Sequence, residues 1–111
     1  MTQITYDYFK NIDIRVGKII KVEDFPGARK PAYRLWLDFG CLGLRKSSAQ
    51  ITKLYRKGDL IGRLIIAVVN FPPRQIADFM SEVLVLGVVL ENDEVVLLQP
   101  DSDVPLGKRV L

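Results

Sequence analysis

Two apolar runs, separated by a pair of prolines, constrain the fold of this chain more than any other feature. The runs cover residues 64–69 and 83–90, and we interpret both as buried strands. Pro72 and Pro73 fix their own φ angles and donate no backbone hydrogen bond. They also hold the residue before each of them, starting with Phe71, in extended geometry. The segment between the runs is therefore predicted to be a rigid surface connection, which serves binding more often than catalysis.

The beginning of the chain has the alternating pattern of a half-buried strand. In residues 13–23 the charged positions fall on one face, and the apolar ones on the other are Ile12, Ile14, Val16, Ile20 and Val22. Gly17 within this strand predicts a bulge or bend of the kind that barrel strands need. Before it, residues 6–11 predict a short helix with Thr5 as its N-cap.

Short strand-like segments continue to the end of the chain. We predict further strands over residues 33–39, 44–49, 63–69, 83–90, 95–98 and 109–111. One helical turn is expected at residues 51–55, and a hairpin turn at residues 91–93. This pattern predicts an all-β protein, an OB-fold five-stranded barrel with a short N-terminal helix and C-terminal strand extensions. No repeat or linker divides the chain, so residues 1–111 are predicted to form a single domain.

The residues that usually perform catalysis or bind metals are scarce. The chain has no histidine and one cysteine, Cys41, which excludes an internal disulfide and a thiolate metal cluster. Ser47 and Ser48 lack a histidine partner, and Lys46 is adjacent in a strand, where neighbouring side chains point to opposite faces. The acidic residues lack metal-ligand spacing and there is no glycine-rich phosphate loop. We therefore predict a protein that is not an enzyme and that uses no cofactor or metal.

The amino-terminal sequence does not resemble a secretory signal. Residues 1–7 have neither a basic segment nor an apolar one. The apolar runs are also far shorter than the roughly 20 residues that span a bilayer. We expect a cytoplasmic protein that does not insert into a membrane.

Charge is distributed unevenly along the chain. Residues 1–74 contain 14 Lys and Arg against 6 acids, a net +8, whereas residues 75–111 contain 2 against 7, a net −5. The basic part could attract nucleic acid or an acidic partner, or it could be an ordinary solvated surface. The candidate residues for such a contact are Lys18, Lys21, Arg29, Lys30 and Arg34. Trp36 shares a strand face with Arg34, where it could stack a base or be covered by a second subunit.

The proline-containing segment is the candidate peptide-binding site. An exposed apolar patch here would accept peptide side chains, and polar residues at its rim would donate hydrogen bonds. The alternative is that its aromatic residues belong to the core. The candidate peptide-binding residues are Asn70, Phe71, Pro72, Arg74, Gln75, Phe79 and Met80.

Several segments of the sequence resemble a known protein family. Residues 9–19, FKNIDIRVGKI, resemble the opening of the tRNA-binding OB domain family, whose domain occurs alone and as an appendage of methionyl- and tyrosyl-tRNA synthetases. Within that family, residues 28–33, 38–40, 47–52, 68–76 and 81–87 resemble the CsaA export chaperones of bacteria. The resemblance implies a homodimer that binds unfolded precursor proteins (preproteins) and cooperates with the export ATPase SecA. It also implies an ancestral link to tRNA binding.

The chain departs from the tRNA-binding branch at two places. That branch usually has Asn, an aliphatic residue, Lys, Pro and then basic residues, whereas here Pro72, Gln75 and Ala77 replace basic positions. Where it usually has Ser-x-Gly-Met, this chain has Ser81 followed by Glu82, Val83 and Leu84. Each lost phosphate contact weakens RNA binding. We therefore predict a chaperone of the CsaA type that binds tRNA weakly, and keep a tRNA-binding OB module as the alternative.

Overall fold

The computed structural model describes residues 1–111 and consists mostly of short strands. Helix α1 (Tyr6–Lys10) precedes β1 (Ile14–Asp24), β2 (Tyr33–Asp38) and β3 (Leu44–Ala49). Helix α2 (Lys57–Leu60) follows, and neither helix is long and apolar enough to cross a membrane. The remaining strands are β4 (Leu64–Val68), β5 (Arg74–Ile76), β6 (Phe79–Ser81), β7 (Leu84–Val85), β8 (Gly87–Val89), β9 (Val95–Leu97) and β10 (Arg109–Val110).

The main sheet is a nearly closed barrel. Its strands run in the order β3-β2-β1-β4-β7, all neighbours are antiparallel, and β10 pairs with the start of β1. The seam beside β3 is closed by Glu82, whose backbone N–H donates to the carbonyl of Lys46 at 2.8 Å. The Glu82 carboxylate accepts the backbone N–H of Lys46, also at 2.8 Å. The prediction of an all-β OB barrel with a short N-terminal helix and C-terminal strand extensions is confirmed.

The core lies inside this barrel and follows the alternation of β2. Leu35 and Leu37 are fully buried, and Tyr33 is buried beside them. The Tyr33 hydroxyl donates to the carbonyl of Tyr55 at 2.8 Å, so its one polar group is satisfied. The bounds predicted for the second and third strands agree with β2 and β3 to within a residue.

The irregularity of β1 lies at Ile20 and not at Gly17, so that part of the prediction is wrong. The register between β1 and β2 shifts between Ile19 and Lys21. This shift turns Ile19 into the core and leaves Ile20 exposed, although the pattern placed Ile20 on the buried face. Gly17 has a different role, because a Cβ there would lie 2.7 Å from the ring of Phe39. Glycine at this position leaves room for a core aromatic ring.

The helix predicted at residues 51–55 is also misplaced. Residues 52–54 form a turn, and α2 begins after Arg56. The Asp59 carboxylate accepts the backbone N–H of Arg56 at 3.2 Å, which fixes the first turn of α2. Lys57 donates a hydrogen bond to the carboxylate of Asp24 at 2.8 Å, and this contact raises the pKa of the lysine.

The second apolar run is not one buried strand. It is divided into β7, which pairs with β4, and β8, which pairs with β9 around the predicted turn at residues 91–93. Leu86 links the two, since its N–H donates to Ile66 in the main sheet and its carbonyl accepts from Leu98. Much of the run is exposed, including Leu84 and Val89. These side chains form an apolar surface outside the barrel.

Candidate functional site

The proline-containing segment ends in a β-hairpin and is not merely a connection. After Pro73 the chain forms β5 and β6, which pair Arg74 with Ser81 and Gln75 with Met80. Ala77 lies in the turn between them with φ of 52°, in the left-handed region. The β6 end of the hairpin is attached to β3, because the Ser81 hydroxyl accepts the backbone N–H of Ser48 at 3.1 Å.

Phe79 is buried, so its predicted exposure to a ligand is wrong. Only 6% of the residue is accessible. Its ring packs edge-on against Phe25 and Trp36, with centroids 5.5 and 5.8 Å apart. Together with Ala32 these rings form a second apolar cluster on the outer face of the sheet. Phe79 therefore anchors the hairpin to the barrel, and its ring also packs against that of Trp36.

An open groove of about 630 Å³ lies between this hairpin and the divided apolar run. Phe71 and Pro72 line it, and the Phe71 residue is 49% exposed. The opposite side is formed by side chains that the sequence analysis did not assign to a site. These additional apolar residues include Ile51, Val83, Leu84, Val85, Leu86 and Val89. Gly87 has a role of its own here, because a Cβ there would lie 2.5 Å from a methyl group of Val95, so the glycine allows β8 and β9 to approach closely.

The other predicted peptide-binding residues are divided between different places. Arg74 lines the groove, whereas Met80 is partly exposed on the hairpin and does not line it. Asn70 is already engaged, since its Oδ1 accepts the N–H of Asp13 at 2.9 Å and its Nδ2 donates to the carbonyl of Asn11 at 2.8 Å. Gln75 donates to the carbonyl of Ala77 at 3.2 Å. These contacts make Asn70 a support for the start of β1 and leave Phe71, Pro72 and Arg74 facing the groove.

A second pocket, of about 530 Å³, lies next to the groove. Arg29 and Lys30 line it together with Arg74 and Gln75. No Asp or Glu belongs to its lining. The loop after β1 and the start of the hairpin thus bring together basic residues that are distant in the sequence.

The remaining predicted basic residues lie elsewhere and are partly neutralised. Lys21 and Arg34 both contact Glu23, at 3.3 and 3.1 Å. The ammonium of Lys21 also lies 4.6 Å from the centroid of the Trp36 ring. Lys18 is exposed and pairs in the ladder with Asp38. The five basic candidates therefore do not form one uninterrupted cationic face.

The hydroxyl of Ser47, which is adjacent to Lys46 in the sequence, has a structural role. Ser47 is fully buried, and its Oγ donates to the carbonyls of Val83 and Ser48 at 3.0 and 3.1 Å. The structure brings no three Asp, Glu or Cys side chains together in a way that could hold a metal ion. The chemistry available at the groove is the burial of apolar side chains, with hydrogen bonds from Arg74 at its edge.

Comparisons with known proteins agree with the barrel fold. Residues 14–109 match the family described as "Putative tRNA binding domain". The crystal structure of the chaperone CsaA from Bacillus anthracis is 51% identical, with a TM-score of 0.95, covering 99% of this chain and 100% of that one. The CsaA chaperone from Picrophilus torridus is 55% identical, with a TM-score of 0.92, covering 98% of this chain and 100% of that one.

A more distant relative is much longer than this chain. The methionine–tRNA ligase of Pyrococcus furiosus is 33% identical over 110 residues, which cover 99% of this chain but 15% of that enzyme. The family match extends over nearly the whole barrel, and the two CsaA structures are matched over their full length. This chain belongs to the tRNA-binding domain family and, within it, is of the CsaA type.

Proposed function

We propose that this protein is a molecular chaperone that binds unfolded precursor proteins, in the apolar groove, and keeps them competent for export. The observation that carries the proposal is the groove itself, which combines a half-exposed Phe71 with the exposed Leu84 and Val89 outside a complete barrel core. Apolar surface of this kind marks interaction sites in soluble domains. The 51 and 55% identity to structures named as chaperones supports the same function.

The groove suits an unfolded segment because its lining is apolar and open. Fully burying one leucine or valine side chain is worth about 1.5–3 kcal/mol, whatever the sequence around it. Such binding discriminates weakly between sequences, as a chaperone with many clients requires. Arg74 at the edge would donate hydrogen bonds to carbonyls of the bound segment. The protein would thus act as a binding module and not as an enzyme.

We also propose that the protein acts as a homodimer in the cytoplasm, in cooperation with SecA. Tyr6 and Tyr8 of α1 are exposed, and so are Val88 and Val96 of the β8–β9 hairpin. A second copy would cover apolar surface that the small barrel does not use. SecA would receive the bound precursor from the dimer.

The experiment that tests this function compares two matched charge insertions. Leu84 in the groove and Ile61 outside it are 49 and 52% exposed, so glutamate at either position should leave the fold intact. We expect Leu84→Glu to abolish the suppression of aggregation of a chemically denatured secretory precursor, measured by light scattering. Ile61→Glu should protect as well as the unmodified protein does. Full protection by Leu84→Glu would exclude the groove as the client site. Absence of protection by the unmodified protein would contradict the chaperone function itself.

A second candidate function is binding of tRNA. The family description and the basic residues around the second pocket favour it. A contact made mainly to phosphates weakens steeply as salt rises. We therefore expect filter-binding titrations to show weak tRNA binding at low salt that is largely lost at physiological salt.

Substitution of two basic residues tests that expectation. Arg29→Ala together with Lys30→Ala should reduce the low-salt binding further, because two phosphate contacts are removed. Tight binding that persists at physiological salt and distinguishes one tRNA from another would instead make the tRNA module the main function.

A further inference from the structure

The apolar groove and the second pocket form one continuous surface. Ser48, Gln50, Arg74 and Ile76 line both of them. An extended segment lying in the groove can therefore reach the second pocket without leaving the protein surface. When a segment binds in the groove, its neighbouring residues would therefore lie at the second pocket.

The second pocket is cationic and has no internal counter-charge. Arg29, Lys30 and Arg74 all line it, and none of these three side chains is in an ion pair or hydrogen bond within the protein. Lys21 and Arg34, by contrast, are both paired with Glu23. Unpaired cations that converge on one pocket attract an anionic group. The charges of this pocket are thus available to a ligand.

The groove itself offers little for an anion. Its lining is mainly apolar, and its one carboxylate, Glu82, already accepts the backbone N–H of Lys46. Placing a charge against apolar lining is costly unless it is paired. An acidic group on a bound segment therefore belongs at the Arg74 end, beside Arg29 and Lys30.

We infer that the groove and the second pocket together select apolar segments that have a carboxylate immediately beside the apolar residues. This inference rests on the proposed peptide-binding function and specifies its client chemistry. The carboxylate is supplied by an aspartate or glutamate side chain, or by the carboxyl terminus of the segment. Arg74 lies at the junction and contributes to both parts of the surface.

RNA fits the combined surface less well. Every nucleotide has a charged phosphate, so a strand that left the pocket along the groove would place further phosphates against apolar side chains. The aromatic ring best placed for stacking on the outer face, Trp36, already packs against the ring of Phe79. A peptide with one acidic group beside apolar residues satisfies both regions at once.

The test uses labelled peptides of about ten residues that share one apolar core and are measured by fluorescence anisotropy with the full chain. Three amidated peptides have two flanking Asp, Ser or Lys residues, and a fourth has Ser residues and a free carboxyl terminus. We expect the Asp peptide to bind about five- to tenfold more tightly than the Ser peptide at low salt, since each partly exposed charge pair adds up to about fivefold. The Lys peptide should bind most weakly. The fourth peptide shows whether a terminal carboxylate substitutes for an acidic side chain.

Matched variants assign the effect to the pocket. Arg29→Ala with Lys30→Ala should remove the preference for Asp without changing the affinity of the Ser peptide. Lys53→Ala with Lys108→Ala removes the same charge from exposed positions outside both pockets, and should retain the preference.

Each contrary outcome points to a different conclusion. Equal affinity for the Asp, Ser and Lys peptides would overturn the inference and leave the proposed chaperone function intact. Failure of all four peptides to bind the unmodified protein would instead contradict the proposed function. If the Arg29 and Lys30 double variant lost tRNA binding but kept its preference for Asp, the pocket would belong to RNA and the inference would be wrong.

Discussion

Phe71 and Phe79 belong to the same segment and have opposite roles. Phe71 borders the groove with about half of its surface accessible, and two prolines follow it, so its ring is held in place before a ligand arrives. A held aromatic ring loses little entropy on contact and can serve as an anchor, where truncation costs about 2 kcal/mol or more. Phe71→Ala should therefore weaken client binding roughly thirtyfold. The measurement is peptide affinity alongside thermal melting, and an unchanged affinity would remove Phe71 from the site.

Phe79 should behave as a core residue. Its ring packs against Phe25 and Trp36, and removing a buried aromatic side chain costs about 3–5 kcal/mol. We expect Phe79→Ala to lower the free energy of unfolding by about that amount in urea titrations. A loss below about 1 kcal/mol would show that the outer cluster contributes little to stability.

The sequence could not separate these two rings. Both follow polar or turn residues, and neither lies in a stretch with a clear period. Their environments depend on the turn at Ala77, which reverses the chain and places Phe79 on the outer face of the sheet. The structural role of Asn70 was missed for a similar reason, because its partners Asn11 and Asp13 are distant in sequence. Residue types predicted a binding segment, but long-range packing decides which of its members face the groove.

At the scale of elements, β1 depends on a close contact between Gly17 and Phe39. A methyl group on Gly17 would meet a fully buried ring, and overpacking of this kind typically costs about 1–3 kcal/mol. We expect Gly17→Ala to lower the free energy of unfolding within that range. Adding Phe39→Leu should make the two effects non-additive, since the smaller side chain relieves the contact. Simple additivity in urea titrations would contradict the contact as the reason for the glycine.

The elements that the sequence predicted well are those with strict alternation. In β2 the buried Leu35 and Leu37 alternate with polar or partly exposed residues, and this period defines both the strand and its buried face. The run at residues 83–90 is apolar throughout, so it has no period that could reveal the break at Leu86. The bulge at Ile20 was also invisible, because a register shift depends on how β1 pairs with β2. Local sequence patterns therefore do not predict a break within a uniform apolar run, or the register between two paired strands.

At the scale of the whole molecule, the apolar surface left outside the barrel predicts a dimer. Val88 and Val96 are directly opposite each other in the β8–β9 hairpin, are exposed, and lie outside the groove lining. Exposed apolar strands are usually covered by a partner. We expect light scattering to give a dimer at micromolar concentration, and Val88→Asp to shift it toward monomer. Ile61→Asp is the matched control and should remain dimeric. If the unmodified protein were monomeric, the prediction would be wrong.

The overall architecture was the most predictable property. The number of short strands and the turn positions define the barrel class, because those patterns depend on the period of each strand alone. Closure of the barrel was harder to predict from the sequence. The seam beside β3 is made by Ser81, at the end of β6 in a different sheet, and by the next residue, Glu82. The groove arises from the same detail, as it lies where the hairpin and the divided run fail to form a continuous ladder.

The amide of Asn70 connects two regions that the fold otherwise keeps apart. It holds the backbone of Asn11 and Asp13, at the end of the amino-terminal helix, and the next residue along the chain is Phe71. The aromatic wall of the groove is therefore one peptide unit from the attachment of the amino-terminal segment. A second copy that ordered this segment, and thereby favoured one position of Phe71, would change the affinity for a client. Thermodynamic linkage is reciprocal, so a bound client would change the affinity of dimerisation by the same factor. Client affinity would then depend on the concentration of the protein itself.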